Sequence, residues 1–289
     1  RDVLVAEQHE HVGELRCGDA GAVVADQASA ASDVGLEEDR AELLGVARAL
    51  RGAGRGVFEM VCDFRKLDEE FELLRAMVRT SGRPMSISVA QSDVAPRQWR
   101  ELLDRIARAV AEGLPMKAQV ATRAIGVMLG LRATFNPFAA NPSFREIADK
   151  DHGDKLRIMR DSTFRKRLLA EKPEGMAAFL LQAFDRMFVL GDPPDYEPHP
   201  EQSIAAQATR RGVAPAELAY DLLLGDDGEA LLYRPLLNYT DRDLGSVREM
   251  LLDPNTVPGL GDAGAHCGLI CDGSFPAFLL PHWGRDRTR

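Results

Sequence analysis

Apolar positions recur with two alternating periods from Glu37 onward. In "EEDRAELLGVARALRGAG", residues Leu43, Leu44, Val46, Ala47 and Leu50 fall on one helical face, and Gly52 and Gly54 end it. The next stretch, "GVFEMVCDF" (56–64), is short, apolar and bounded by glycine and charge, which predicts a buried strand. Helical spacing returns with Leu67, Phe71, Leu74 and Met77 and stops at Gly82. A second strand is predicted over "RPMSISVAQSD" (83–93), a second strong helix over 96–113, and a third strand over "LPMKAQVATR" (114–123). The helix of 96–113 opens on Pro96 and closes on Gly113, the expected asymmetry of helix ends.

The three strand starts lie near Val57, Met85 and Met116, with one helix between each pair. That rhythm is the signature of βαβ units, whose right-handed crossovers make a parallel sheet. Three units fit an open doubly wound sheet or a closed (β/α) barrel equally. No GxGxxG or GxxxxGK[ST] follows any of the strands, so nucleotide-binding versions lose weight and a barrel gains. By itself the chain is expected to leave parallel strand edges and their apolar faces uncovered, and therefore to dissolve poorly or self-associate.

After Arg123 the rhythm breaks. Helices are expected around 154–171, 174–188 and, in two pieces divided near Gly212–Pro215, over 203–224. "VPGLGDAG" (257–264) reads as a short strand running into a glycine loop. The stretch of about 124–256 is therefore expected to be a long helical insertion before the last strand, of the kind that shapes a binding site. Residues 1–36 show neither period and are expected to be a poorly defined segment, leaving 37–289 as a partial barrel domain.

Charge and composition narrow the partners. The chain has 289 residues, a net charge of -9 and 45% hydrophobic residues, which suits a globular protein and not one that grips nucleic acid. No apolar run is long enough to cross a membrane. Four cysteines without a framework of spacings point to a reducing cytoplasm. Residue 1 is Arg and the last residues are charged, so a piece of a longer protein is expected; the oligomeric state is not fixed by these features.

In a parallel barrel, reactive groups sit at the carboxyl ends of strands. Those ends offer Cys62 and Asp63, then Gln91, Ser92 and Asp93, then Thr122 and Arg123, and finally Asp262 and His266. Plainer roles compete with each. Cys62 suits a small buried hydrophobe, Asp63 and Asp93 suit caps on the following helices, and Arg123 suits an ion pair as well as a clamp on a substrate carboxylate. Asp262 stands apart because it ends a strand within "GLGDAGAH", where glycines let a ligand approach the backbone. "HCGLIC" offers His266, Cys267 and Cys271, but the spacing is wrong for a zinc knuckle, and His9 with His11 form an H-x-H without a preceding strand.

Several segments, "GRGVFEMVCDF", "AEGLPMKAQVATRAIGVMLGL", "NPSFREIA", "RGVAPAELAYDLLL" and "VPGLGDAGAHCGLICDGSFPAFLLPHWGRDR", resemble the amidohydrolase superfamily, and within it the N-acyl-D-amino-acid deacylase (D-aminoacylase-like) branch. The resemblance implies the second half of a metal-dependent-hydrolase (β/α)8 TIM-like barrel. It implies hydrolysis of non-peptide C–N bonds, releasing a carboxylate and a D-amino acid from a small N-acylated amino acid. It also implies a divalent metal, zinc in most of the family, that makes bound water acidic and polarises the amide carbonyl. Asp262 matches the family's carboxylate at the end of strand eight, which takes the water's proton and passes it to the leaving amine. Arg123 and His266 are the candidate substrate contacts. The family's metal-binding histidines at two strand ends have no counterpart in "MVCDF" or "ISVAQSD", so no metal ligand is assigned. Hydrolysis of a cyclic amide, such as a hydantoin or dihydropyrimidine, and a non-catalytic barrel segment are the alternatives.

Overall fold

The computed structural model describes residues 4–7, 33–173, 181–261, 268–270 and 273–287, with side chains from Arg40 onward. These residues hold eight strands: β1 (Leu4–Glu7), β2 (Phe58–Val61), β3 (Met85–Ser88), β4 (Met116–Val120), β5 (Ile125–Leu129), β6 (Phe188–Val189), β7 (Leu232–Leu237) and β8 (Thr256–Pro258). The chain divides into two compact units. One carries β1 to β4 and β8, up to Thr122 and again over Ser246–Leu260; the other carries Arg123–Gly245 and the residues from Gly261 onward.

The first unit is a five-stranded parallel sheet in the order β1-β2-β3-β4-β8. Helices α1 (Asp33–Ala53), α2 (Leu67–Ser81) and α3 (Gln98–Ala111) connect its first four strands. The order follows the sequence without reversal. A doubly wound sheet reverses its order at a switch point, whereas right-handed crossovers between strands laid down in sequence put every helix on one face. The sheet is therefore singly wound, and among the described residues β1 and β8 are its outer strands.

Side-chain alternation agrees. Phe58, Met85 and Met116 are register partners, as are Met60, Ile87 and Ala118, and all six are at most 1% exposed. The helices turn matching stripes inward: Phe71, Leu74 and Met77 of α2, and Trp99, Leu102 and Ile106 of α3. Each such side chain stabilises the fold by about 1.5–3 kcal/mol relative to leaving it in water. Gly82 ends α2 in the left-handed conformation at φ 64°, donating its N–H to the Val78 carbonyl at 2.8 Å, which a side chain there would strain.

The opposite face departs from the uncovered apolar face expected of the chain by itself. There β2, β3 and β4 present Glu59, Ser86, Ser88, Lys117 and Gln119, with Val61 (48% exposed) and Val257 of β8 (38%) beside them. A second correction concerns residues 1–36, which were expected to be a poorly defined segment. "LVAE" forms β1, pairing in parallel with β2 through Leu4 opposite Phe58, and α1 begins at Asp33. Four residues are too few for a period to show.

The second unit holds an antiparallel sheet, β5-β7-β6, where a purely helical insertion was expected. Gly126 in β5 is required by close approach, since a Cβ there would lie 2.5 Å from the Tyr233 ring. The helix expected over 154–171 is two, His152–Met159 and Ser162–Ala170, because the Asp161 carboxylate accepts the N–H groups of Thr163 and Phe164 at 2.9 Å and starts a new helix. The pair in 203–224 appears as Ile204–Arg211 and Pro215–Leu223, divided by Gly212 at φ 68°. Of the helix expected at 174–188, residues 174–180 lie outside the description and Phe184–Arg186 form a single 3-10 turn. Phe138, Met159, Leu168, Ile204, Tyr220 and Leu232 belong to one core. No described helix is long and apolar enough to cross a membrane.

Candidate functional site

The carboxyl ends of β2, β3 and β4 carry the first group of candidates. Cys62, one residue past β2, is partly buried, and desolvation, with the carboxylates of Glu70 and Asp63 adding to it, pushes its thiol up to about 12. It is a neutral thiol at physiological pH, a poor nucleophile and a poor metal ligand. It borders a hollow of 460 Å³ with Met60, Leu43, Leu74, Glu70 and Arg40. Asp63 is exposed and pairs with Arg65 at 3.4 Å. Asp63 does not cap α2. Glu70 reaches back instead, its carboxylate accepting the N–H groups of Lys66 at 2.8 Å and Phe64 at 3.0 Å.

Past β3, Gln91 is buried and its Oε1 accepts from the Ser246 hydroxyl at 3.0 Å. The Ser92 hydroxyl accepts the Ala95 N–H at 3.2 Å, closing a local turn. Asp93 is exposed, and no side chain caps α3, so the capping role considered for Asp93 is not the one it has. Thr122, past β4, is buried.

Arg123 opens the second unit and is fully buried. Its guanidinium lies 3.6 Å from the Tyr196 ring centroid and 4.4 Å from that of Phe275. Its Nη1 donates to the Ala124 carbonyl at 3.0 Å and its Nη2 to the Ser274 hydroxyl at 2.9 Å. A desolvated cation between two aromatic faces is held by about 2 kcal/mol or more at each. In this arrangement Arg123 fastens the segment around Ser274 and Phe275 to the start of β5.

At β8, Val257 is the register partner of Gln119, and the Gly259 N–H donates to the Val120 carbonyl at 2.9 Å, so the backbone is fixed two residues before Gly261. The Gln119 side chain lies across Gly259. A Cβ at residue 259 would stand 2.4 Å from both Gln119 Cγ and Nε2, which explains the first glycine of "GLGDAGAH". Asp262, His266, Cys267, Cys271, His9 and His11 lie outside the described residues.

Two polar groups went unremarked in the sequence. Ser88 and Gln119 are register partners on β3 and β4, on the polar face of the sheet. Their signal was alternation: polar residues at every second place in "MSIS" and "MKAQV".

Among the described residues no group of three or more His, Cys, Asp or Glu is placed to hold a metal ion. The donors at the ends of β2 and β3 are a protonated thiol, an aspartate paired with arginine and an exposed aspartate. That set does not fit a tightly held divalent ion.

No family model matches the chain, and no curated protein does. Among solved structures it is similar to a D-aminoacylase studied for the functional role of its binuclear metal centre, at 16% identity and a TM-score of 0.34. It is also similar to a D-aminoacylase mutant in complex with copper chloride, at 15% and 0.35. A third is the D-aminoacylase crystal structure that defines a novel subset of amidohydrolases, at 16% and 0.33. In each case 76% of this chain aligns with 35% of the other, so the chain spans about a third of the length of these structures.

Proposed function

We propose that this chain is part of an amidohydrolase barrel that hydrolyses amide bonds, and specifically one that removes the acyl group from an N-acylated D-amino acid. The observation that carries the reading is the singly wound parallel sheet whose last strand, β8, runs from its carboxyl end into Gly-Leu-Gly-Asp-Ala-Gly-Ala-His. In a barrel wall the strand ends are where reacting groups gather. The motif resemblance to the N-acyl-D-amino-acid deacylase branch supplies the reaction class.

Asp262 is the proposed base. Its carboxylate takes a proton from the attacking water, whose oxygen bonds to the amide carbon. The C–N bond then breaks, and the proton passes to the leaving nitrogen, giving a carboxylic acid and a free amino acid. A divalent ion, zinc by the resemblance, would polarise the carbonyl, but the described donors do not fit it and no step is assigned to it. His266 is the proposed contact for the acyl or amino-acid part. Arg123 is the proposed contact for the substrate carboxylate, a role that requires the Tyr196–Phe275 sandwich to open.

The described donor set favours a second reading, a barrel segment without activity of its own. Asp262→Asn decides between them. Turnover of N-acetyl-D-amino acids by the wild type, lost in this variant with the melting temperature unchanged, is the expected result. Activity that survives the substitution removes Asp262 from the mechanism. A wild type inactive toward both N-acetyl-D-amino acids and hydantoins, and free of bound metal by elemental analysis, supports the inert segment.

A further inference from the structure

Three stretches of the second unit meet at the Glu197 carboxylate. Its Oε1 accepts the Leu244 N–H at 2.9 Å, its Oε2 accepts from the Arg287 guanidinium, and the His282 Nε2 stands 3.5 Å from that same Oε2. The His282 ring is stacked on Phe278, with 4.4 Å between centroids and 21° between planes, and meets the Trp283 ring edge-on at 4.7 Å. Its Nε2 is shut off from solvent and makes no hydrogen bond among the described residues. The segment that carries it is a short helix, Phe275–Phe278, continued over Leu279–Asp286 in the wide π form, which is rare and mostly limited to single turns. Side-chain contacts therefore hold this segment in place. Arg123 binds Ser274 and Phe275 at its start, Tyr196 packs edge-on against Phe278, and Glu197 engages His282 and Arg287 at its end.

The charged groups facing His282 are Glu197 and Asp195 from the loop after β6, and Asp286 and Arg287 from its own segment. Asp286 is bound to Arg285 at 2.6 Å, and Glu197 is already matched by Arg287. A proton on His282 would set a second cation beside that matched pair, between two aromatic rings and out of reach of water. Desolvation of that charge outweighs the pull of Glu197 and holds the imidazole below its ordinary value of 6.5, with Arg287 adding to the effect.

We propose that Glu197 and His282 form an acid-released latch: a neutral His282 ring keeps the segment Phe275–Arg287 against the loop of Glu197, and a proton on the ring frees the end of that segment. The sign follows from the packing. The fold favours the neutral imidazole, so the latch is intact above pH 6.5 and weakens as pH falls below it.

The test is hydrogen exchange of the full chain, read by mass spectrometry at pH 7.5, 6.5 and 5.5 and corrected for the intrinsic pH dependence of exchange. Protection over 278–287 is expected to fall at least about threefold and at most about tenfold between pH 7.5 and 5.5, the upper limit being one proton taken up one unit below 6.5. Strands β5 and β7 are expected to keep their protection. His282→Gln, which takes up no proton in this range, is expected to show no change with pH. His199→Gln removes the histidine two residues from Glu197 and is expected to respond as wild type does. Wild-type protection independent of pH, a loss shared equally by β5 and β7, or a response that survives in His282→Gln overturns the proposal. If His282→Gln fails to fold, titration of the wild-type His282 ring by NMR decides, since a midpoint at or above 6.5 rejects the latch.

Discussion

Replacing Gly259 with alanine adds one methyl group at a place where the structure has no room for it. The new carbon would stand 2.4 Å from Gln119 Cγ, 2.4 Å from Nε2 and 2.7 Å from Cδ, against 3.4–4 Å for ordinary contact. The overlap is about 1 Å at three atoms, one of them near the root of the side chain, so a small swing of the amide does not relieve it. The backbone cannot give way easily either. Gln119 pairs with Ser88 on one side and Val257 on the other, and the Gly259 N–H is bound to the Val120 carbonyl. Overpacking of this kind costs about 1–3 kcal/mol. For a chain of this size that lowers the melting temperature by roughly 2–10 °C. The assay is thermal and urea denaturation of wild type, Gly259→Ala, Gln119→Ala and the double variant. Because Gln119→Ala removes the atoms that collide, the double-mutant cycle is expected to show a coupling of about 1 kcal/mol or more. A Gly259→Ala melting point equal to wild type, or strictly additive effects, would refute the reasoning.

Two further outcomes follow from the described side chains. Arg123→Lys keeps the charge but loses the planar group stacked between Tyr196 and Phe275, and is expected to destabilise the fold by about 2–4 kcal/mol and to speed proteolysis around Ser274; an unchanged urea midpoint would count against it. Cys62, with its thiol pushed up to about 12 from 9.0, is expected to be alkylated by iodoacetamide at pH 8 at least about 100-fold more slowly in the folded than in the denatured chain, read by peptide mapping. The sign for stability follows: the raised value favours the neutral thiol in the fold, so this contribution is intact below pH 9 and is lost as pH rises toward 12, and equal alkylation rates would contradict both statements.

The βαβ rhythm was legible because α2 and α3 repeat their apolar residues over several turns, and Gly82 and Gly113 mark where they stop. β1 was not, because four residues cannot display a period, and its evidence is the partner strand β2, more than fifty residues away. The antiparallel sheet of the second unit escaped for a related reason. "IGVML" and "LYRPLL" are apolar nearly throughout, and short apolar runs do not separate strand from buried helix. Asp161 was visible as an acid but not as a boundary, since a cap is recognised only when the N–H groups it serves are placed.

The candidate site divides along the same line. Strand ends are sequence features, so Cys62, Asp93 and Arg123 were easy to name, yet their chemistry depends on what surrounds them. Burial neutralises the Cys62 thiol, and Arg123 is enclosed by two rings that come from 73 and 152 residues further along the chain. Ser88 and Gln119 show the converse. Nothing about a serine in "MSIS" or a glutamine in "MKAQV" marks it out until the sequential strand order assigns one face to the helices and leaves the other to these groups. A sheet with helices on both faces would have made those positions apolar. Their polarity is therefore evidence about the winding, read from the alternation of side chains.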